Sequence, residues 1–510
     1  MRRIKNIFFS RITFVVLLVV IQLLALLTAI WKFSKYFVIF DFIFTFISIL
    51  AVVYILNSRT DPTYKLGWII LIMLFPIFGG LLYLMAGGAG LSGKMKKNMS
   101  QIMDKMTEYL FQDQRTFSLL RNENIVAYNQ GKYIEKYSYC PVYDNSSTNF
   151  FPSGEIFFQK LVKELKSAEK FIFIEFFIIE EGVMWNTILD ILKDKVEKGV
   201  DVRVIYDDIG CMSKLPNGYN KKLEKAGVKC CVFNPFRLGI SLRLNNRDHR
   251  KIIVIDGKTA YTGGINLADE YINRRERFGY WRDNAIEIKG AAIWSFTVMF
   301  LSMWAFLRKT NEDYSIFASP ALDNNEKSQG YVQPFHDSPL DDEHVSETVY
   351  LNLINQAEKY IYIETPYLIA DHKMMTALCI AAKRGVDVKI LTPGIPDKKV
   401  AYAITQSSYE ELLEAGVSMY QYTPGFNHGK TFVVDDNYAV VGTINLDYRS
   451  LYLHFECGVW MYNTKSVEQV KRSTIKALKS SKEITLEYVK NTSALRKILR
   501  TILKSLAPVL

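Results

Sequence analysis

The sequence predicts an α/β protein built as two repeated lobes behind a membrane-inserting region, and three observations carry that prediction. Stretches with strand and helix patterning recur at long range. AEKFIFIEFFII (168–179) returns as AEKYIYIETPYLI (357–369), KGVDVRVIYD (198–207) as RGVDVKILTP (384–393), and KKLEKAGVKCCVF (221–233) as EELLEAGVSMYQY (410–422). Each lobe carries the same triplet, His249, Lys251 and Asp256 in HRKIIVID and His428, Lys430 and Asp435 in HGKTFVVD. Ahead of both lobes lie three long apolar stretches.

Those stretches, Ile12–Trp31, Phe37–Asn57 and Leu66–Ala86, fill a region spanning residues 1–88. Each has about the 20 residues needed to cross a hydrocarbon core, and Asp41 is the one charge inside them. A cleaved leader would account for the first stretch alone, and no small-residue cleavage site follows it. Pro76 and Gly79–Gly80 can bend or break the third, so two to three segments are expected and the third is either spanning or re-entrant. Arg2, Arg3, Lys5 and Arg11 favour a cytoplasmic N-terminus, while Lys94, Lys96 and Lys97 favour a cytoplasmic side after the third stretch. Three full crossings cannot satisfy both, and the reading leans to catalytic lobes on the cytoplasmic face.

The net charge of +11 points to anionic partners; nucleic acid and an anionic membrane both fit it, and the apolar stretches favour the membrane. Residues 89–150 read as a polar, partly helical connector, whose Lys94–Lys97 either touch headgroups or are simply solvated. Lobe 1 is placed at 151–315 and lobe 2 at 316–485. Their alternation of apolar strands and amphipathic helices argues for a mostly parallel sheet covered on both faces. The tail, 486–510, sets Ala494, Leu495, Ile498, Leu499, Ile502, Leu503 and Leu506 against Arg496, Lys497, Arg500 and Lys504. Such a helix lies on an anionic bilayer or packs on lobe 2. The six cysteines have no metal-ligand or framework spacing and read as free thiols.

On the strand read at Ile252–Ile255 side chains alternate, so His249 and Lys251 share a face and aim an imidazole and an ammonium at one point. A phosphoryl group is the anion such a pair suits. Seventeen positions separate His249 from Asn266 and His428 from Asn445, and this duplication argues against accident.

Both segments resemble the HKD motifs of the phospholipase D superfamily. The words NRDHRKIIVIDGKTAYTGGINLADEY, WRD at 281–283, IETPYLIAD at 363–371 and NLDYRS at 445–450 resemble bacterial cardiolipin synthases in particular. The likeness runs from about Ser153 to the C-terminus and extends to the hydrophobic N-terminal region. Gly429 and Thr443 depart slightly, where a somewhat larger small residue and a serine are expected. The resemblance implies two fused lobes related by pseudo-twofold symmetry, with both motifs in one cleft of a multi-pass bacterial cell-membrane protein. It implies phosphatidyl transfer between two phosphatidylglycerol molecules, giving cardiolipin and glycerol through a phosphohistidine. His249 is then the nucleophile and His428 the general acid and base, with an exchange of these roles also open. Lys251 and Lys430 neutralise the phosphoryl oxygens, with Asn266 and Asn445 as donors beside them. Glu456 would orient His249, Asp283 would orient His428, and Asp256 and Asp435 would tie down the loop after each strand. Glu175 and Glu364, at matching strand ends, take supporting roles. No cofactor or metal is expected, because the cations are built in and His336, His344, His372 and His454 form no recognisable ligand pattern; His454 either faces the site or is a surface or core histidine.

Three rivals remain at this level: a hydrolase of the same superfamily, meaning a phospholipase or a nuclease; a phosphatidyltransferase for another headgroup; and an inactive lipid-binding scaffold. The apolar stretches argue against nucleic acid as a partner, and the presence of both histidines and both lysines argues against the scaffold.

Overall fold

The computed structural model describes residues 37–58, 62–75, 79–80, 105–235, 246–318 and 328–506, with single residues at 24, 28, 83, 97 and 103. The chain divides into two compact units, Met1–Gly88 and Ala89–Pro508.

In the first unit, helices cover Phe37–Asn57 and Pro62–Leu74. The stretch 12–31 lies outside the described residues except at Leu24 and Thr28. The stretch 66–86 is not one straight helix. Its helix stops at Leu74, before Pro76, whose ring disfavours helical backbone in the residue ahead of it. By Tyr83 the chain has come back, since the rings of Trp68 and Tyr83 meet at 5.2 Å, whereas 15 residues of straight helix would separate them by about 22 Å. Among the described residues no helix is long and apolar enough to cross a membrane; the side chains of 37–41 fall outside the described set and the second helix has 13 residues. Along Phe37–Asn57, Phe42, Phe46, Leu50, Val53, Tyr54 and Leu56 are exposed, a density of bare apolar surface foreign to a helix bathed in water.

The second unit is built on two sheets with one topology. In the first, strands β1 (Ser146–Phe151), β2 (Phe171–Phe176), β3 (Asp201–Asp207), β4 (Lys229–Phe233), β5 (Lys251–Ile255), β6 (Thr259–Gly263) and β7 (Ala285–Gly290) lie in the order β1-β7-β6-β5-β2-β3-β4. In the second, β8 (Tyr331–Asp337), β9 (Tyr360–Glu364), β10 (Asp387–Pro393), β11 (Ser418–Tyr422), β12 (Thr431–Val434), β13 (Tyr438–Gly442), β14 (His454–Tyr462) and β15 (Ser481–Ile484) repeat it as β8-β14-β13-β12-β9-β10-β11, with β15 added at the edge. The expectation of a mostly parallel sheet is corrected. Only β2–β3–β4 and β9–β10–β11 run parallel, and the remaining pairs are antiparallel. Helical crossovers enforce parallel pairing only where they occur, and after each motif strand the chain returns directly through a tight turn at Asp256–Gly257 or Asp435–Asp436.

The motif aspartates build those turns. Asp256 and Asp435 adopt left-handed backbone, φ 53° and 52°. Asp256 accepts from the backbone N–H of Glu169, Lys170 and Phe171, each at 2.8 Å; Asp435 accepts from Glu358 at 2.6 Å and from Lys359 and Tyr360 at 2.8 Å. One carboxylate thus fastens the end of the motif strand to the start of its central neighbour.

The lobes share a core. The helix Ile293–Arg308 is buried at thirteen positions and belongs to one apolar cluster with Phe173, Ile252 and Val254 of the first sheet and Val433, Val441 and Val459 of the second. Two short parallel pairings also cross between lobes, Arg247–Asp248 with His454–Phe455 and Tyr280–Arg282 with Gly425–Asn427. Each lobe thus gives the stretch before its histidine and receives it beside its own carboxylate strand, the reciprocity of a local twofold.

The C-terminal helix Ala494–Leu506 packs on lobe 2 against Lys399–Ser407. Three of its four basic residues face protein, Lys497 with Glu410 at 3.4 Å, Lys504 with Glu411 at 3.8 Å and Arg500 with Gln406, while Arg496, Leu495, Ile498, Leu499 and Ile502 are exposed. Of the tail's two alternatives the structure shows packing on lobe 2, with the apolar face rather than the basic one turned outward.

Asp435→Ala leaves three backbone donors without their acceptor. It should lower stability by about 2–4 kcal/mol, read as a fall in the denaturant midpoint of the purified protein, with Asp435→Asn losing less.

Candidate active site

The two histidines follow the cross-lobe pairings and inherit their register. The backbone N–H of His249 donates to Phe455 O at 2.9 Å, and that of His428 to Arg282 O at 2.7 Å. One residue beyond each acceptor stands a carboxylate buried completely, Glu456 and Asp283. His249 Nδ1 lies 2.9 and 3.0 Å from the Glu456 oxygens, and His428 Nδ1 lies 2.6 Å from Asp283 Oδ2. Each imidazole is therefore oriented from the opposite lobe, with Nδ1 committed to the carboxylate and Nε2 turned away from it. Both histidines are 7% exposed, so the site is nearly closed.

Lys251 Nζ donates to His249 O at 2.6 Å, and Lys430 donates to His428 O with its Nζ 2.9 Å from His428 Nδ1. Burial pulls the Lys251 ammonium down to about 8 against the opposing pull of Glu456, and the Lys430 ammonium to about 7 against Asp283. Burial, then Lys251, hold His249 well below the usual imidazole range; burial, then Lys430, bring His428 to about 4 although Asp283 raises it. Phe177 packs edge-on to His249 at 5.0 Å, and Tyr271 and Trp281 flank His428 at 5.5 Å. The result is a dry, cationic slot holding two neutral imidazoles, suited to an anion that brings its own charge.

The structure brings together His249, Lys251, His428, Lys430, Asp283 and Glu456, and sets Asp256 and Asp435 at the far ends of the motif strands. Asn266 is largely committed to structure: it donates to Tyr271 Oη at 2.8 Å and accepts from Ile178 N at 3.1 Å. Asn445 donates to Ser450 Oγ at 3.1 Å, and its Oδ1 has no partner among the described residues. His454 joins His249 and Glu456 in a cluster whose ligand atoms lie within 4.8 Å of one another, so of the two readings open for this histidine the structure favours the one that places it at the site.

The two departures from the motif have local causes. Thr443 donates its hydroxyl to Glu456 Oε2, whereas the matching Gly264 leaves no room for a side chain, a Cβ there falling 2.1 Å from Asp283 Oδ1. Arg250, between His249 and Lys251, pairs with Glu175 at 2.6 Å. At the matching Gly429 a Cβ would come within 2.9 Å of Glu364 Oε2, and Glu364 takes its cation from the other lobe, Arg282 at 2.9 Å. The roles of Arg250, Arg282 and Thr443 are thus what the pattern did not give, and only the paired glutamates pointed toward two of them.

The "Cardiolipin synthase, PLD-like domain" family matches residues 161–304 and 350–477. The chain belongs to that family. A phospholipase D-nuclease N-terminal family matches 46–88. A cardiolipin synthase of Alkalihalophilus pseudofirmus is 32% identical over 483 residues, covering 94% of this chain and 95% of that one, and one of Geobacillus kaustophilus is 32% identical over 513 residues, covering 98% and 99%. An uncharacterized protein of Streptococcus mutans is 46% identical over 463 residues. The crystal structure of a phosphatidylserine synthase of Haemophilus influenzae covers 71% of this chain and 95% of its own with a TM-score of 0.55; at 17% identity it speaks for the fold.

A buried ammonium favours unfolding wherever the unfolded chain holds a proton that the folded one has lost. With Lys430 near 7 in the fold and 10.5 as its ordinary value, the unfolded state binds more protons between those limits, so stability rises with pH across that window. Lys430→Met should flatten this rise and leave the melting temperature at pH 7 unchanged or higher, while cutting activity about 100-fold or more; thermal melts from pH 6 to 10 beside activity assays check it.

Proposed function

We propose that the protein transfers a phosphatidyl group between two phosphatidylglycerol molecules, releasing glycerol and forming cardiolipin. The observation that carries this reading is the pair of cross-lobe dyads, His249 with Glu456 and His428 with Asp283, over two buried lysines; family membership along nearly the whole chain supports the lipid substrate.

In the first step His249 Nε2 attacks phosphorus, and the P–O bond to the headgroup glycerol breaks as His428 gives that oxygen a proton. The imidazolium character that develops on His249 is stabilised by Glu456, itself held by Thr443. In the second step a hydroxyl of another phosphatidylglycerol attacks the phosphohistidine, His428 takes its proton, and His249 leaves. Bond count and charge balance, and two in-line displacements retain configuration at phosphorus. His428 is neutral in the empty site. A phosphodiester anion between the lysines offsets the electrostatic push of Lys430, so the acid is charged by the substrate it serves. Lys251 and Lys430 hold the non-bridging oxygens, supplying the positive charge that the displacement needs.

The setting is a bacterial cell membrane. Two crossings by 12–31 and 37–57, followed by a segment that turns back near Pro76, would set both lysine- and arginine-rich flanks on one side. That removes the conflict between them and favours catalytic lobes at the cytoplasmic face. The exposed apolar stripe of the C-terminal helix suits contact with the same surface.

Purified protein with radiolabelled phosphatidylglycerol in liposomes should yield cardiolipin and glycerol, and added glycerol should lower the yield. His249→Ala and His428→Ala should each lose about 10³-fold or more. Phosphatidic acid as the sole product would assign the enzyme to hydrolysis.

A single cysteine introduced near residue 5 and another near residue 97, in a background without other reactive thiols, should both resist an impermeant maleimide in intact cells and react after lysis. Opposite behaviour at the two sites would refute the turned-back third segment.

A further inference from the structure

His454 opens β14 directly beside the nucleophile. Its ring centroid lies 5.7 Å from that of His249, and its Nδ1 is 3.9 Å from Glu456 Oε1, too long for a hydrogen bond. Neither ring nitrogen has a hydrogen-bond partner among the described residues, and both are shut off from solvent. An imidazole with both polar atoms unpaired in a nearly closed site costs free energy and begs a partner.

Its chemistry selects the partner. Burial, then Arg449, Arg247 and Lys251, hold the ring neutral. A neutral imidazole offers one donor and one acceptor. A phosphoryl oxygen only accepts and is already served by two lysines, and an ammonium only donates. A metal ion would find ligand atoms in His249, His454 and Glu456, but it would stand beside the buried Lys251 and Lys430 and would displace the contact between Glu456 and His249 Nδ1. An alcohol hydroxyl, both donor and acceptor, matches the ring.

We propose that His454 forms a hydroxyl-binding subsite that recognises the polyol of the headgroup, holding a hydroxyl next to the one that reacts. This rests on the phosphatidyl-transfer reading and deepens it. It makes His454 a specificity residue: it selects glycerol-type acceptors over simple alcohols and water, and it has no part in the proton transfers.

The test offers deuterated glycerol and propan-1-ol at equal concentration to the full-length protein with phosphatidylglycerol in mixed micelles, and counts exchanged phosphatidylglycerol, phosphatidylpropanol, phosphatidic acid and cardiolipin by mass spectrometry. Wild type should favour glycerol. His454→Phe should lose about fivefold of that preference, the worth of one neutral hydrogen bond, and shift product toward phosphatidic acid while propanol transfer stays unchanged. His454→Asn, which keeps a donor and an acceptor, should retain most of the preference. Equal preference in wild type and His454→Phe, or parallel loss of glycerol and propanol transfer, overturns the subsite. Wild type that exchanges glycerol yet forms no cardiolipin overturns the phosphatidyl-acceptor reading instead, and the same preference ratio still decides the subsite.

Discussion

Everything at the reacting centre depends on each imidazole being held by the other lobe. The backbone N–H and Nδ1 of His249 are fixed by Phe455 and Glu456, those of His428 by Arg282 and Asp283. Consecutive residues on one strand thus set the height and the tautomer of a histidine that is remote in sequence. The dyads exist only when the lobes are docked, and the shared core around Ile293–Arg308 is what docks them. A hydrogen bond between secondary elements of a rigid interface holds a side chain more narrowly than a loop can, and a nucleophile that must line up with phosphorus needs that.

The same docking forces charge into a dry place. Two lysines, two carboxylates and two imidazoles are all but inaccessible to solvent, and burial moves the ammoniums and imidazoles toward neutrality. An anion placed between the ammoniums would restore the charges that burial suppresses. The fold gives up stability in the empty state to be complementary to a phosphoryl group, and the Asp256 and Asp435 clamps help to offset it by tying the central strands together.

Much of this was legible in the residues. Spacing placed His249 beside Lys251 and doubled the pair, and the repeat foretold two sheets of one topology. Resemblance carried Glu456, Asp283 and the structural part of Asp256 and Asp435, all of which sit where expected. Strand direction was not legible, because alternating strands and helices signal crossovers while the direct return at Asp256–Gly257 reverses the chain within two residues. The tail's outward face was not legible either: periodicity defines two stripes on Ala494–Leu506, and only the acidic residues Glu410 and Glu411 on another helix decide which one turns inward. The contacts of Thr443 and Arg282 escaped for the same reason, since each acts on a partner that only the fold brings near.

A symmetric scaffold poses a difficulty for a reaction in which the two histidines must differ, and the departures from symmetry fall where a difference is useful. Glu456 is gripped by Thr443 and shared with the neighbourhood of His454, while Asp283 fills the space left by Gly264 and accepts from Asn284 N at 2.8 Å. Lys430 approaches the ring of His428 itself, whereas Lys251 reaches the backbone of His249. Behind the histidines, Glu175 is neutralised within its own lobe and Glu364 across the interface. A cation against one imidazole makes that ring responsive to the charge of whatever binds, as an acid and base must be. The other ring, backed by a clamped carboxylate and kept neutral by burial, is suited to attack. Twofold symmetry supplies the frame and the paired cations; a handful of unmatched side chains, Thr443 against Gly264 and Arg250 against Gly429, gives two otherwise equivalent histidines different surroundings.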